Sequence, residues 1–579
     1  MKKLLSFLLI LVLGLFMVGC ETSNNPSNEN DPNTENNTNQ NQNNGNENNP
    51  NGNENNGNED DPNGNQNNGN ENNNDDDEVI TITIKTNSKV VYSDSFMNYE
   101  LKYSLNEVEK KKEEVLDNIK KATELSELNA IYDDYSNYYK TLEERYIVVE
   151  GLYDADNSNE AVVTGYYDLY KLMLDGNLVF DDIDKEIAEG SLAHAYFEGY
   201  TDEEIEAIIN NENTDEELNK LLMRKEEIKE EIRDSSGSKK NALLEEFVSI
   251  NKQIVTFVDY DKYEYIEYSD CNDYFRLYSK EDVKVIEQYA LQYLLDLDNE
   301  LYYSDYEPVD EDEYEYAYEL QYSSFTDFQD LIKDYATFIG GDFLDYYNGL
   351  FNGGYYIICN DRDNGTSTAY QDAGGDVKFV FFGPYYQDSS TFVHEFGHYF
   401  TSNLGSDNYS YDLCEVHSQA DEALFRLYLL SLDNSDVYKW YEKEFVNLML
   451  DTIIIGLMVR EFEETIYASD VESLQDTWDA INEKYDFFSS DDFYDLITDY
   501  DNYYISYVTS AICALELYAY GKTEGLEKAK EAYLAICGYN GEGDIEEAMT
   551  NAGISDPFGE ETILNLVSVI TYEMENNWK

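Results

Sequence analysis

The chain has 579 residues, of which 122 are acidic and 38 are basic, so its formal charge at pH 7 is −84. Such a charge repels phosphate, which argues against nucleic-acid binding and against a basic patch for anionic lipids. Apolar residues make up 42% of the chain and aromatic residues 15%, which is enough for a large hydrophobic core.

Residues 1–19 have the pattern of a secretory signal peptide, with two lysines, an apolar run from Leu4 to Val18 and then Gly19. The run is too short for a comfortable membrane span. Cys20, directly after a small residue, resembles the lipobox of bacterial lipoproteins, in which the cysteine is lipidated and becomes the new N-terminus. We therefore expect an extracytoplasmic protein, lipid-anchored through Cys20 to the outer face of the bacterial cell membrane. An ordinary signal peptide with an incidental cysteine is the alternative.

Residues 20–78 are predicted to be a disordered tether rich in asparagine. Between residues 21 and 78 the chain has 14 acidic residues, no basic residue and four of its seven prolines. Such a segment cannot bury apolar surface, so it stays solvated. Its expected role is to hold the rest of the chain away from the membrane.

The remaining segment, 79–579, is predicted to be one mainly helical domain, because only three prolines occur in it. Within 79–104, the alternation from Val79 to Lys85 indicates a short strand. The next part, 105–350, has helical spacing throughout. Its amphipathic helix candidates lie near 105–145, 160–190, 203–232, 238–258, 281–300 and 325–349.

The last part, 351–579, begins with a change of character. Tyr355–Cys359 and Val377–Phe382 are β-branched or aromatic runs, which predict two or three strands of a small sheet. Helix candidates then resume at 390–404, 411–432, 434–466, 490–522 and 559–576. Apart from Cys20, the five cysteines form no C-x-x-C pair, so we expect buried free thiols.

The chemistry is expected at the sequence H-E-x-x-H, which His394, Glu395 and His398 form inside the 390–404 helix. Residues i and i+4 share one face of a helix, so both imidazoles can reach one metal ion. Glu395, one residue round the helix, can act on the attacking water from the side. The alternative is that the two histidines only pack within the protein.

A third ligand is expected on the following helix. Glu415 lies 17 residues beyond His398, which leaves room for a loop and a returning helix. Two histidines and one glutamate, with an open position for water, are typical of hydrolytic zinc sites. Ser418 and Glu422, at i+3 and i+7 from Glu415, can hydrogen-bond a ligand from outside the coordination sphere. The alternative third ligand is His417, although it points away from Glu415 on a helix.

These motifs resemble the oligoendopeptidase F and thimet oligopeptidase family, in which H-E-x-G-H is followed by a helix bearing E-x-x-S-x-x-x-E. The strands before the motif helix, the stretch 243–268 and the tyrosines at 503–507 agree with the same family. The resemblance implies a mainly helical, clam-like body with a deep channel and a small β-sheet next to the zinc helix.

The resemblance also implies a function and its residues. One zinc ion per chain would be bound by His394, His398 and Glu415, and Glu395 would be the general base. Tyr504 and Tyr507 would stabilise the oxyanion or hold the substrate backbone. The expected substrates are short peptides, cleaved at internal bonds, and the expected state is a monomer.

The chain departs from the family at several positions. The loop between the second histidine and Glu415 is shorter, Thr401 replaces a histidine, and no histidine follows His417. The glycine-rich loop is absent from 496–502. A second hypothesis is therefore a catalytically weak or inactive lipoprotein of the same fold that binds peptides.

Overall fold

The structure is a computed structural model that describes residues 79–578 with internal gaps. The gaps fall at 157, 198, 202–204, 207, 210–219, 222–223, 226–227, 230, 233–234, 258–277, 303–324, 360–367, 375–376, 384–388, 406–410, 433–434, 469–472, 486–502 and 542–543. The predictions of a signal peptide over 1–19, a lipid on Cys20 and a tether over 20–78 lie outside the described residues.

Six short strands form two sheets among the described residues. The strands are β1 (Ile80–Ile82), β2 (Val90–Tyr92), β3 (Leu101–Tyr103), β4 (Tyr355–Cys359), β5 (Ala369–Asp372) and β6 (Lys378–Phe382). β1 and β3 pair antiparallel, and the larger sheet has the order β2-β4-β6-β5. β4 and β6 are parallel, whereas β2 and β5 run antiparallel to their neighbours. β2, which comes from the start of the domain, thus forms one edge of a sheet whose other strands belong to the 351–579 part.

Helices make up most of the rest. Those before the large sheet are α1 (Asp94–Met97), α2 (Glu107–Ile119), α3 (Leu125–Ala155), α4 (Glu160–Glu189), α5 (Ala193–Tyr196), α6 (Ser238–Phe257), α7 (Lys280–Tyr289), α8 (Leu295–Tyr302), α9 (Phe325–Ile339) and α10 (Gly341–Gly353). Those after it are α11 (Ser389–Leu404), α12 (Tyr411–Leu432), α13 (Asp436–Ala468), α14 (Leu474–Tyr485), α15 (Tyr504–Glu524), α16 (Leu526–Cys537), α17 (Ile545–Asn551) and α18 (Glu560–Asn576).

The prediction of a mainly helical fold with a small sheet beside the H-E-x-x-H helix is confirmed. Among the candidate helices that lie within the described residues, three are interrupted where the sequence pattern predicted continuity, whereas the 203–232 and 490–522 candidates lie partly outside the described residues. The 105–145 candidate breaks between α2 and α3, and the 281–300 candidate contains a π-helical turn at Ala290–Leu294. The 325–349 candidate breaks at Gly340, whose φ of +77° is outside the helical region.

The buried apolar side chains of the described residues form two clusters. The larger one joins α6 to α18 and surrounds α12, which is buried along most of its length. The smaller one packs α2, α3 and α4 against the other face of the large sheet, where Ile357, Phe379 and Phe381 lie. The sheet therefore separates α2, α3 and α4 from the helices that carry the motif.

Two further features concern membrane-spanning helices and the cysteines. Among the described helices, none is long and apolar enough to cross a membrane. No disulfide joins the described cysteines, of which Cys359, Cys513 and Cys537 are buried and Cys414 is partly exposed. Cys271 lies outside the described residues.

Candidate metal centre

The H-E-x-x-H motif lies on α11, a helix fixed in the core by its aromatic residues. Phe396 and Phe400 each pack edge-on against Phe343 of α10, and Phe392 stacks on Phe382 of β6. The helix ends at Leu404, and Gly405 follows with φ +71°, which suits the end of a helix. This anchoring fixes which face of α11 carries the motif side chains.

The glycine within the motif lets α12 approach α11 closely. A Cβ atom built on Gly397 would lie 2.8 Å from the Cα of Ser418 and 3.3 Å from the carbonyl oxygen of His417. Such distances leave no room for a side chain. The two helices therefore meet backbone to backbone next to the motif histidines.

Three side chains converge where these helices meet. Donor atoms of His394, His398 and Glu415 all lie within 4.8 Å of one another. Oε2 of Glu415 lies 3.5 Å from Nε2 of His394 and 3.9 Å from Nε2 of His398. His417, the alternative third ligand, is fully buried and is not part of this group. The geometry therefore favours Glu415 as the third donor.

The two residues expected outside the coordination sphere contact the expected ligands. Nδ1 of His394 donates a hydrogen bond to Oε1 of Glu422 at 2.9 Å. The hydroxyl of Ser418 donates to the backbone oxygen of Glu415 at 3.0 Å and lies 3.3 Å from Oε2 of the same residue. The bond to Glu422 leaves Nε2 of His394 facing the centre of the group.

Sequence reasoning missed Tyr503 as part of this site. Its hydroxyl donates to Oε1 of Glu415 at 2.5 Å, so the two carboxylate oxygens of Glu415 have different partners. Oε1 is held by the phenol, and Oε2 faces the histidines. The local sequence Tyr503–Tyr504 contains nothing that selects one of the two tyrosines.

Tyr504 and Tyr507, which the resemblance implied as catalytic, lie on the first turn of α15. Both are half-buried, and their rings are 5.9 Å apart. The ring of Tyr507 also packs edge-on against Tyr503, with centroids 5.1 Å apart. Tyr503 thus links these two tyrosines to Glu415.

Glu395 is held by the edge strand of the large sheet. The backbone N–H of Tyr370, in β5, donates to Oε2 of Glu395 at 2.9 Å. No described residue hydrogen-bonds the other oxygen, Oε1, which is buried. Burial raises the pKa of Glu395 to about 8. A carboxyl group with one oxygen anchored and one available is suited to receiving a proton.

The donor set fits a zinc ion. Two imidazole nitrogens and one carboxylate oxygen are typical of catalytic zinc sites, which keep a further position for water. Burial lowers the pKa of His398 to about 4, so its ring is neutral at physiological pH, as a metal ligand must be. His394, His398 and Glu415 would hold the ion.

The fold is similar to those of solved peptidase structures. A protein from Bacillus anthracis str. Ames assigned as an oligoendopeptidase F has a TM-score of 0.56 and 15% identity, over 84% of this chain and 99% of that one. A second structure assigned as oligoendopeptidase F has a TM-score of 0.55 and 13% identity, covering 82% and 97% of the two chains. PZ peptidase A with an inhibitor has a TM-score of 0.52 and 15% identity, covering 82% and 98%.

The sequence itself matches no family model and no curated protein. At these low identities, the solved structures establish the fold alone. The chain has the oligoendopeptidase F fold, as the motif resemblance predicted.

Proposed function

We propose that this protein is a zinc metallopeptidase that hydrolyses internal bonds of short peptides. The observation that carries the proposal is the convergence of His394, His398 and Glu415 beside Glu395, on a peptidase fold. The motif spacing, the helix contact and the fold support the same chemistry independently. One zinc ion per chain is the cofactor that these donors favour.

The bound zinc would polarise the peptide carbonyl and lower the pKa of a water molecule. Glu395 would accept the proton of the attacking water on Oε1, because Oε2 is anchored by the Tyr370 N–H. Glu395 would then deliver that proton to the leaving amine. Burial of the carboxyl excludes bulk water, so the proton stays with the reacting groups.

Tyr504 and Tyr507 are proposed to donate hydrogen bonds to the oxyanion or to hold the substrate backbone. Their place on the first turn of α15, beside Tyr503, supports this role. A single oxyanion donor typically contributes about 3 kcal/mol to lowering the barrier.

The decisive test compares the purified protein with its Glu395→Gln variant. Zinc per chain is counted, and cleavage of peptides of graded length is followed by mass spectrometry. We expect one zinc ion in both proteins and internal cleavage by the parent only, because the neutral amide of the variant cannot act as a base. Retained hydrolysis by the variant would refute the role of Glu395, and absence of zinc from the parent would refute the metal centre.

The second candidate function is peptide binding without turnover. It is favoured by the absence of any histidine after His417, since the related family has one there. Binding of the same peptides to the zinc-loaded protein, with no cleavage in either variant, would establish this alternative.

We also propose that the protein is lipid-anchored through Cys20 at the outer face of the bacterial cell membrane, as a monomer. The support is the apolar run before Gly19-Cys20 and the asparagine-rich segment after it. Labelled palmitate should enter the parent chain but not a Cys20→Ala variant. Equal labelling of both proteins would refute the anchor.

A further inference from the structure

Arg426 is a buried arginine in a chain that has few basic residues. It lies on α12, one turn after Glu422, and only 3% of its surface is exposed. Its guanidinium carbon lies 3.7 Å from the ring centroid of Tyr441 and 5.5 Å from that of Phe445, both on α13. A buried guanidinium is costly unless its charge is balanced, so the partners of Arg426 indicate what it does.

The partners of Arg426 connect it by hydrogen bonds to the proposed metal centre. Nη2 of Arg426 donates to the hydroxyl of Ser390 at 2.6 Å and lies 4.0 Å from Oε2 of Glu422. Ser390 in turn donates to Oε2 of Glu422 at 2.7 Å. The other oxygen of Glu422 accepts the hydrogen bond from Nδ1 of His394 at 2.9 Å.

The donor and acceptor capacities of these groups decide which one donates in each hydrogen bond. A guanidinium can only donate, so the Ser390 hydroxyl accepts from Arg426 and keeps its own hydrogen for Glu422. The carboxylate of Glu422 accepts hydrogen bonds from both Ser390 and His394, and the positive charge of Arg426 lies 4.0 Å from its Oε2. A hydrogen on Nδ1 leaves the lone pair of His394 on Nε2, the nitrogen that faces Glu415.

The spacing on the helices produces this arrangement. Ser390 and His394 are four residues apart on α11, and Glu422 and Arg426 are four residues apart on α12. Each pair therefore lies on one face of its helix, and the two faces meet. The aromatic rings of Tyr441 and Phe445, on α13, lie close to the guanidinium of Arg426.

We propose that Arg426 is a positioning residue, which acts through Ser390 and Glu422 to fix the ring of His394 for zinc binding. This inference rests on the proposed metal centre. Partners outside the coordination sphere typically change metal affinity by about 10- to 100-fold when removed. An arginine that only stabilised the fold would leave the zinc affinity unchanged.

The test measures the zinc dissociation constant of the full chain by competition with a chelator, together with the melting temperature. Arg426→Met keeps an apolar side chain against Tyr441 but removes the donors. We expect it to raise the zinc dissociation constant about 10-fold or more, and Arg426→Lys to recover part of that loss.

The matched control is Lys522→Met. Lys522 of α15 is also a partly buried cation between two glutamates, at 2.7 Å from Glu442 and 3.0 Å from Glu573. The Lys522→Met variant should have a lower melting temperature than the parent and an unchanged zinc affinity. Equal zinc affinities in Arg426→Met, Lys522→Met and the parent would overturn the inference and leave the metal centre standing.

Ser390→Ala gives an independent test if Arg426→Met does not fold. It removes only one hydroxyl, which lies between Arg426 and Glu422, and should raise the zinc dissociation constant several-fold. An unchanged constant in this variant would also overturn the inference. Failure of the parent itself to bind zinc would instead refute the proposed function together with this inference.

Discussion

Gly397 of α11 and Ser418 of α12 are in direct backbone contact, since a Cβ atom on Gly397 would lie 2.8 Å from the Cα of Ser418. This contact lies between the helix that carries both histidines and the helix that carries Glu415. The distance between these two helices therefore sets the distance between the donors.

Gly397→Ala should force α11 and α12 apart. We expect a loss of about 1–3 kcal/mol of stability, the usual cost of overpacking, and weaker zinc binding. The matched control is Gly349→Ala in α10, where a Cβ would meet no atom within 4 Å. That change should be neutral or slightly stabilising, because alanine favours the helix. Thermal unfolding and zinc titration measure both effects, and similar behaviour of the two variants would contradict the prediction.

Tyr503→Phe should weaken zinc binding without unfolding the protein. It removes the 2.5 Å hydrogen bond to Oε1 of Glu415 but keeps the ring against Tyr507. The freed carboxylate would rotate, so we expect about a 10-fold loss of zinc affinity. Tyr507→Phe, in contrast, should lower kcat and leave the zinc affinity unchanged. A chelator competition assay and steady-state kinetics would separate the two roles. Weaker zinc binding in Tyr507→Phe together with unchanged zinc binding in Tyr503→Phe would contradict this assignment.

Removal of zinc should destabilise the protein. A ligand present at 100 times its dissociation constant stabilises the folded state by about 2.7 kcal/mol. The melting temperature should fall on chelation and recover when zinc is added. Glu395→Gln should keep this response, because Glu395 is not a donor, whereas His398→Ala should lose it. A zinc response in His398→Ala equal to that of the parent would contradict the assignment of donors.

Glu150 of α3 should make the stability depend on pH. Burial raises its pKa from 4.5 to about 7, and nearby Asp154 adds to the shift. The folded carboxyl therefore keeps a proton that the unfolded chain has lost, so stability falls as the pH rises from 4.5 to about 7. Glu150→Gln can still accept the 2.6 Å hydrogen bond from Tyr146. It should be more stable than the parent by roughly 1–3 kcal/mol at about pH 8, and little changed at about pH 4.

The control for this prediction is Glu113→Gln, which removes an exposed charge from α2. It should shift the melting temperature slightly and by the same amount at both pH values. If Glu150→Gln follows the same pattern, the buried carboxyl does not carry the pH dependence.

Residues close in sequence could be placed by reasoning from the chain alone. His394 and His398 share a helix face because of the helical period, and Gly405 ends that helix through its positive φ. Glu415 and Glu422 were found in the same way, from their spacing on the next helix. Helix breaks were harder, since Gly340 and the π-helical turn at Ala290–Leu294 interrupt patterns that continue past them.

Contacts between distant segments could not be predicted in this way. Tyr503 lies 88 residues after Glu415, and nothing in the local pattern distinguishes it among 55 tyrosines. The Tyr370 N–H reaches Glu395 only because β5 is the edge strand beside α11. Likewise, β2 joins β4 across more than 250 residues.

The sequence by itself therefore determined the helical class, the motif and the donor types, because these depend on residue chemistry and on periods of a few residues. The tertiary structure decided which oxygen of Glu415 faces the histidines, which tyrosine holds the other, and that Arg426 reaches His394 through Ser390 and Glu422. These choices depend on how α11, α12, α13 and α15 pack, and that packing is set by the whole core at once.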